Sequence, residues 1–338
     1  METIAFMGPY DAAVKKIMRK MVSKDFRFIE VTDMKDTDQL KEAHYIILRV
    51  LRMEGGLIRE LPLLKLIQRW GVGFDKVDIA AAGERNIPVA VTPGMNAASV
   101  AEMAVLHMLA VYRKLLVLHG NVVNGKWQRP GIASHSYTIC GKKVGLIGLG
   151  NIGKLVAKQV QAFGAEVQYY DMFRLQPVEE LRLGIQYVSL EELLKNSDIV
   201  SLHIPLTDST RHLLNKDTFR LMKKNAILIN TARGGIIQES DLIEALSSHK
   251  IMGAGLDCLE TEPVSTDNPL LKLDNVVLTP HMGGSTMDTS VNMARHCIEN
   301  IVKVSQGKPL PTRDIVNAKY LRGRLTKIIK RASADSYR

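Results

Sequence analysis

Arg233, Asp257, Glu262, His203 and His281 each stand just past a short apolar run, and their side chains suit anion and proton chemistry. Arg233 follows Ala226-Ile227-Leu228-Ile229 and Asn230-Thr231-Ala232, and it leads into Gly234-Gly235. Asp257 ends Gly253-Ala254-Gly255-Leu256, with Glu262 five residues on, before Pro263. His281 follows Val276-Val277-Leu278-Thr279-Pro280 and precedes Gly283-Gly284, while His203 and Pro205 close a run that starts at Ile199. An imidazole donates a proton near neutral pH. A carboxylate on its other ring nitrogen orients it and favours the protonated form. A guanidinium fork matches a carboxylate. The set therefore suits reduction of a carbonyl beside a carboxylate, where an anion must be held and an alkoxide protonated. Each residue also has a plainer use: Arg233 in a surface ion pair, Glu262 in a solvated turn, His281 in structure. Their joint position after successive runs favours chemistry. His44, His107, His119, His135, His212, His249 and His296 have no comparable context and are given no role.

A hydride carrier is suggested by Gly148-Leu149-Gly150-Asn151-Ile152-Gly153, between a strand ending at Ile147 and a helix over 154–163 closed by Gly164. A second strand ends in Asp171, eighteen positions past Gly153. The glycine pattern alone is weak, but this strand–loop–helix setting with a following acid is the context that gives it meaning. The first glycine allows the tight turn, the second lets backbone approach a pyrophosphate, and the third allows close helix–strand packing. The helix N-terminus offers N–H groups to the phosphates. Asp171 would accept from an adenosine ribose and repel a 2′-phosphate, which favours NAD over NADP; Arg174 weakens that preference without reversing it. An ordinary βα turn is the alternative. Gly148, Gly150, Asn151, Ile152, Gly153 and Asp171 are the expected dinucleotide contacts. His203, Pro205, Thr231, Ala232, Arg233, Asp257, His281 and Gly283 are expected around the rest of the cofactor, with His203 packing near the nicotinamide rather than doing acid–base work.

These residues need elements that bring them together. Short β-branched runs alternate with helical patterns in two series, the mark of parallel sheets covered on both faces. The first series has runs at 4–7, 28–31, 45–48, 64–67 and 89–91; the second has 143–147, 167–170, 199–204, 226–229, 253–256 and 276–278. Between the series a long helix is expected from Asn96 or Ser99 to Leu118, Ser99 and Glu102 having capping-box spacing. Another spans Thr286 to Val304. The expected fold is α/β with two doubly wound domains, a Rossmann NAD-binding domain inserted into a flavodoxin-like substrate-binding domain. The boundaries are 1–98 with 286–318 for the substrate domain, 99–285 for the NAD domain, and 319–338 as a basic extension.

At 338 residues the chain suits two domains. The run from Met103 to Leu118 is interrupted by His107, Arg113 and Lys114, too polar to span a bilayer. No export signal opens the chain, and three scattered cysteines, Cys140, Cys258 and Cys297, show no metal-ligand spacing. A reducing cytoplasm and no metal are expected. Of the net charge of +10, residues 319–338 carry +6 through seven Lys/Arg against Asp335, leaving +4 on the rest. That tail could touch RNA or lipid headgroups. An amphipathic helix docking Leu321, Leu325 and Ile328 on the body is favoured, so neither a nucleic acid nor a membrane is expected as partner.

From about residue 3 to Asn317 the sequence resembles the D-isomer-specific 2-hydroxyacid dehydrogenase family, which includes phosphoglycerate dehydrogenases and hydroxypyruvate and glyoxylate reductases. The resemblance is carried by Arg69-Trp70-Gly71-Val72-Gly73-Phe74-Asp75, Pro93-Gly94-Met95-Asn96, Val144 to Gly153, Leu202-His203-Ile204-Pro205, Asn230-Thr231-Ala232-Arg233-Gly234-Gly235, Leu256-Asp257-Cys258 with Glu262-Pro263, and Pro280 to Thr286. It implies that Arg233 binds the substrate and polarises its carbonyl, that His281 is the general acid/base paired with Glu262, and that Asp257 contacts the nicotinamide amide. It also implies substrate binding by backbone N–H groups at Val72 and Gly73 and by Arg49, catalysis between the domains, a homodimer through the NAD domain, and D stereochemistry. Val50-Leu51-Arg52-Met53 departs from the small polar segment usual in phosphoglycerate dehydrogenases, and the regulatory domain many of them append is missing after 318. Val72 stands where phosphite-oxidising relatives carry lysine. A short 2-oxo acid such as hydroxypyruvate or glyoxylate is the favoured substrate. The alternatives are phosphoglycerate, or a cofactor-sensing role like that of transcriptional corepressors resembling this family.

Overall fold

The computed structural model describes residues 1–127 and 131–322. It contains two compact units, one of residues 1–96 with the segment from 285 onward, the other a continuous 97–284. The second is thus an insertion in the first.

In the first unit β1 (Glu2–Met7), β2 (Phe26–Val31), β3 (Tyr45–Leu48), β4 (Leu66–Arg69) and β5 (Val89–Ala90) form a parallel sheet in the order β2-β1-β3-β4-β5. This is the flavodoxin-like winding. Alternation along β1 divides the core: Ile4 and Phe6 pack with Met293, Ile298 and Leu321, while Ala5 and Met7 pack with Leu40, Ile58 and Leu61 on the other face.

In the second unit β6 (Lys143–Ile147), β7 (Glu166–Tyr170), β8 (Ile185–Tyr187), β9 (Ile199–Leu202), β10 (Ile227–Asn230), β11 (Gly253–Leu256) and β12 (Val276–Leu278) make a seven-stranded parallel sheet. Its order, β12-β11-β10-β9-β6-β7-β8, is the dinucleotide-binding winding with one strand added at the far edge. Leu228 and Leu256 enter a core with Phe219 and Leu246 on one face, and Ile227 and Ile229 one with Met108 and Val160 on the other.

Register decides where the site lies. Tyr170 pairs with Ile147, Ile147 with Leu202, Leu202 with Asn230, Asn230 with Leu256, and Leu256 with Leu278. Six strands therefore end level. The next residues, Asp171, Gly148, His203, Thr231, Asp257 and Thr279, form a row across the carboxyl edge.

Three local expectations are corrected. The helix expected to run unbroken to Leu118 is two helices, Ala97–Tyr112 and Leu115–Val123, because Lys114 adopts a left-handed φ of 49°. Tyr112 anchors the end of the first, its ring buried and its hydroxyl donating to the Asp198 carbonyl at 3.2 Å. The first helix starts at Ala97, so Ser99 lies within its first turn and is not the cap. Strand β8 was missing from the sequence reading; its three residues are too few to show a period. At the other end of the inserted unit, Thr286 caps Met287–Ser305 by accepting from the Thr289 N–H. Past Asn317, Tyr320 lies against Gly83, Arg322 N–H donates to Asn86 Oδ1 at 3.0 Å, and Leu321 is buried. Leu325, Ile328 and the remainder of the basic segment lie outside the described residues.

Candidate active site

The turn after β10 carries Arg233. Asn230, fully buried at the strand end, donates through Nδ2 to the Arg233 carbonyl at 2.9 Å and accepts from the Ala232 N–H at 3.0 Å. This side chain, unassigned by the sequence reading, fixes the turn. The Arg233 guanidinium, half-buried, donates to the Ala232 carbonyl at 2.7 Å.

The loop after β12 carries His281, whose backbone has the left-handed φ of 55°. For a residue with a Cβ that conformation costs about 1–3 kcal/mol and persists where surroundings over-determine it. Asp257 does much of the determining. Its carbonyl accepts from His281 N–H at 2.8 Å. Its carboxylate, 2% exposed, accepts from Met282 N–H at 2.8 Å, Gly283 N–H at 2.7 Å and the Thr279 hydroxyl at 2.5 Å. Thr279 in turn meets His107 Nε2 at 3.0 Å. Burial lowers the His107 pKa. Since the Thr279 proton goes to Asp257, a neutral His107 with its proton on Nε2 completes the chain, leaving Nδ1 as the buried acceptor without a partner. Asp257 and Gly283 were expected against the nicotinamide. In this structure the Asp257 carboxylate is turned into the loop and holds it. Thr279 and His107 are positioning residues that the sequence reading passed over, and a threonine at a strand end followed by proline was the only signal for them.

His281 Nδ1 lies 2.9 Å from Glu262 Oε2. Both side chains are accessible, 43% and 37% exposed. Glu262 is itself oriented, its Oε1 accepting from Leu259 N–H at 3.2 Å. With Nδ1 committed to Glu262, Nε2 is the nitrogen left to exchange a proton with a ligand. Arg233, Glu262 and His281 thus come from the ends of three adjacent strands, β10, β11 and β12.

The glycine loop fits a dinucleotide. Gly148 has φ 97°, and a Cβ there would strike the His203 carbonyl at 2.6 Å; a Cβ on Gly153 would strike the Gly148 carbonyl at 2.3 Å. At Gly150 a Cβ would meet nothing within 4 Å. Two glycines are thus closed in by protein, and the middle one faces open space, as needed where backbone approaches a phosphate. Gly150 is the cap of Asn151–Ala162, so Asn151, Ile152 and Gly153 form its first turn. Asp171 braces the loop, accepting from Leu149 N–H at 2.8 Å and Phe173 N–H at 3.0 Å. Arg174 is engaged by Glu180 through two hydrogen bonds of 2.9 and 3.0 Å.

His203 begins the loop after β9, its N–H donating to the Ile147 carbonyl at 2.7 Å, with Pro205 exposed two residues on. Its ring turns back to Ser201 Oγ at 2.9 Å, its Nδ1 is buried without a hydrogen bond, and burial pushes its pKa down to about 4. It is neutral at physiological pH. Thr231 is buried and Ala232 half-buried in the Asn230 turn.

Residues 105–283 match the model of the D-isomer specific 2-hydroxyacid dehydrogenase, NAD binding domain. The chain is 38% identical over 268 residues to a glyoxylate reductase of Korarchaeum cryptofilum, covering 78% of this chain and 79% of that one. The chain belongs to the D-isomer-specific 2-hydroxyacid dehydrogenase family. It is also 43% identical over 242 residues to a hydroxypyruvate reductase of Thermotoga maritima, covering 71% of this chain and 77% of the relative. A solved structure of D-lactate dehydrogenase from Aquifex aeolicus, complexed with NAD and lactic acid, superposes with a TM-score of 0.82 at 29% identity, covering 93% and 99% of the two chains. As a member of this family the protein is an NAD-dependent dehydrogenase of 2-hydroxy acids.

Arg49, Val72 and Gly73 belong to the other unit. Buried Arg69 organises their loops, donating to the carbonyls of Gly73 at 2.8 Å, Leu48 at 3.1 Å and Arg49 at 2.6 Å. Val72 is 43% exposed, and among the described residues no acceptor takes its N–H or that of Gly73. Arg49 donates to the Pro9 carbonyl at 2.9 Å and its guanidinium lies over the Tyr10 ring at 5.8 Å.

Proposed function

We propose that this dehydrogenase acts on a short 2-oxo acid, hydroxypyruvate or glyoxylate, reducing it to the D-2-hydroxy acid. NADH, when bound at the glycine loop, supplies the hydride. Arg233 holds the substrate anion and draws charge onto its carbonyl oxygen. His281, protonated and steadied by Glu262, delivers its Nε2 proton to that oxygen as the alcohol forms. His203 stays neutral beside the glycine loop and adds no competing acid. The N–H groups of Val72 and Gly73, with Arg49, are proposed to bind the substrate carboxylate. The observation that carries the reading is the 2.9 Å His281–Glu262 pair on a left-handed residue fixed by Asp257.

NAD is favoured over NADP because Asp171 stands at the end of β7 while Arg174, the nearby cation, is committed to Glu180. A homodimer is proposed through Leu115–Val123, an apolar helix that buries none of its residues, where Leu116, Val122 and Val123 are 52%, 51% and 64% exposed. A cytoplasmic location accords with three free thiols, and among the described residues no helix is long and apolar enough to cross a membrane.

Following NADH absorbance with a panel of 2-oxo acids tests the substrate. Glyoxylate and hydroxypyruvate should give the highest kcat/KM, with 3-phosphohydroxypyruvate well below them. A preference for the phosphorylated acid would replace the substrate assignment.

A further inference from the structure

Cys258 had no metal-like spacing in the sequence, but the fold brings its thiol to the histidine–carboxylate pair. Cys258 Sγ, a Glu262 carboxylate oxygen and a His281 ring nitrogen lie within 4.8 Å of one another. Cys258 is 2% exposed and its Sγ lies 3.4 Å from the Ala232 carbonyl, so the sulfur is fixed, whereas Glu262 and His281 have exposed, adjustable side chains. We propose that these three side chains form a binding site for a thiophilic divalent cation, Zn2+ above all, and that its occupancy switches the dehydrogenase off.

The donor set is one thiolate, one imidazole and one carboxylate, a mixture suited to zinc and poor for magnesium or calcium. Bond lengths of about 2.0–2.3 Å to zinc place tetrahedral ligands about 3.5 Å apart, so the widest separation must close by roughly 1 Å while His281 Nδ1 and Glu262 Oε2, now 2.9 Å apart, open slightly. Glu262 and His281 can supply that movement by side-chain rotation. Three protein ligands leave the fourth position to water. Binding displaces the thiol proton and any proton shared between His281 and Glu262, and both return to solvent. The cation therefore competes with protons and binds more tightly as pH rises. Once bound, it takes Glu262 and a ring nitrogen of His281 out of the pair on which proton delivery depends. The inhibitory half of this proposal rests on His281 as the acid; the binding half does not.

The test uses the full chain without NADH. Titration with Co2+ should give a thiolate-to-cobalt charge-transfer band, which Zn2+ abolishes by displacement and which Cys258→Ala and Cys258→Ser both lack. In the assay, Zn2+ should inhibit the wild type reversibly, with EDTA restoring turnover and inhibition tightening from about pH 6 to about pH 8. Changing even an outer partner of a metal site costs about 10–100-fold in affinity, so loss of the thiolate should raise the inhibitory Zn2+ concentration at least about tenfold, with basal turnover retained. No cobalt band in the wild type, or an equal band in the two variants, overturns the site. A normal band with undiminished turnover upholds metal binding and overturns His281 as the proton donor.

Discussion

Two histidine–carboxylate pairs, one from each unit, are nearly equal in length but opposite in setting; the second unit also holds His212–Glu260 at 2.7 Å. His281 and Glu262 are 2.9 Å apart with side chains 43% and 37% exposed. His296 and Asp314 are 2.7 Å apart at 12% and 0%. Asp314 also accepts from Asn300 Nδ2 at 3.1 Å, and Asn300 reaches Gln68 Oε1 at 3.0 Å, so that pair ends in a buried amide network. The other Asp314 oxygen has no hydrogen bond and Arg313 at 3.7 Å. The distance between imidazole and carboxylate therefore says little about role. The settings differ: the His281 pair is accessible and its histidine has a left-handed backbone, features that His212–Glu260 shares, whereas the His296 pair closes a core.

Four measurements sharpen or break this contrast. His281→Ala should lower turnover by about two to four orders of magnitude, the range for losing a general acid, with the thermal midpoint little changed; a loss under tenfold would remove the distinction. His296→Leu should do the reverse. Leaving one member of a buried pair alone costs about 3–5 kcal/mol, seen as a lower urea midpoint, while turnover per folded molecule stays near wild type. Thr279→Val strips a donor from Asp257 and an acceptor from His107, a loss of about 1–3 kcal/mol. It should lower kcat more than it raises KM and shift the acid limb of the pH profile, and Thr279→Ser should restore both; equal losses in the valine and serine variants would reduce Thr279 to packing.

The smallest effect concerns His203. Its folded pKa, about 4, lies below the ordinary 6.5, so between those values the unfolded chain takes up the proton more readily. Folding stability is full above about pH 6.5 and falls as pH drops toward 4. The urea midpoint of the wild type should fall more between pH 7 and pH 4.5 than that of His203→Gln. Parallel curves would show that burial of this ring carries no proton linkage.

Much of the inserted unit was readable because buried parallel strands are apolar runs, and their functional residues come directly after them. Arg233, Glu262 and His281 were singled out that way, and the structure places them past the ends of β10, β11 and β12. Asp257 was singled out as a cofactor contact, but spacing does not reveal its hold on the loop, where Met282 and Gly283 turn their N–H groups back onto its carboxylate. His107 sits mid-helix in an apolar stretch, where nothing local marks its bond to a threonine 172 residues later. Lys114 broke the long helix through a backbone angle that its residue type does not announce. The His296 pair was invisible for a related reason: its partner lies across a turn, 18 residues on, in a stretch without strand or long helix.

The interruption of the first unit has a consequence for synthesis. Its core needs Met293, Ile298 and Leu321, and Val89 N–H is held by Asn317 Oδ1 at 2.8 Å across 228 residues. The inserted unit is one continuous stretch and has every strand it requires once residue 284 has left the ribosome. The earlier-made half must wait with β1 to β5 incompletely covered until the last segment arrives. Ribosome-bound chains halted when residue 284 has just cleared the ribosome should therefore bind NAD while their N-terminal third remains open to protease.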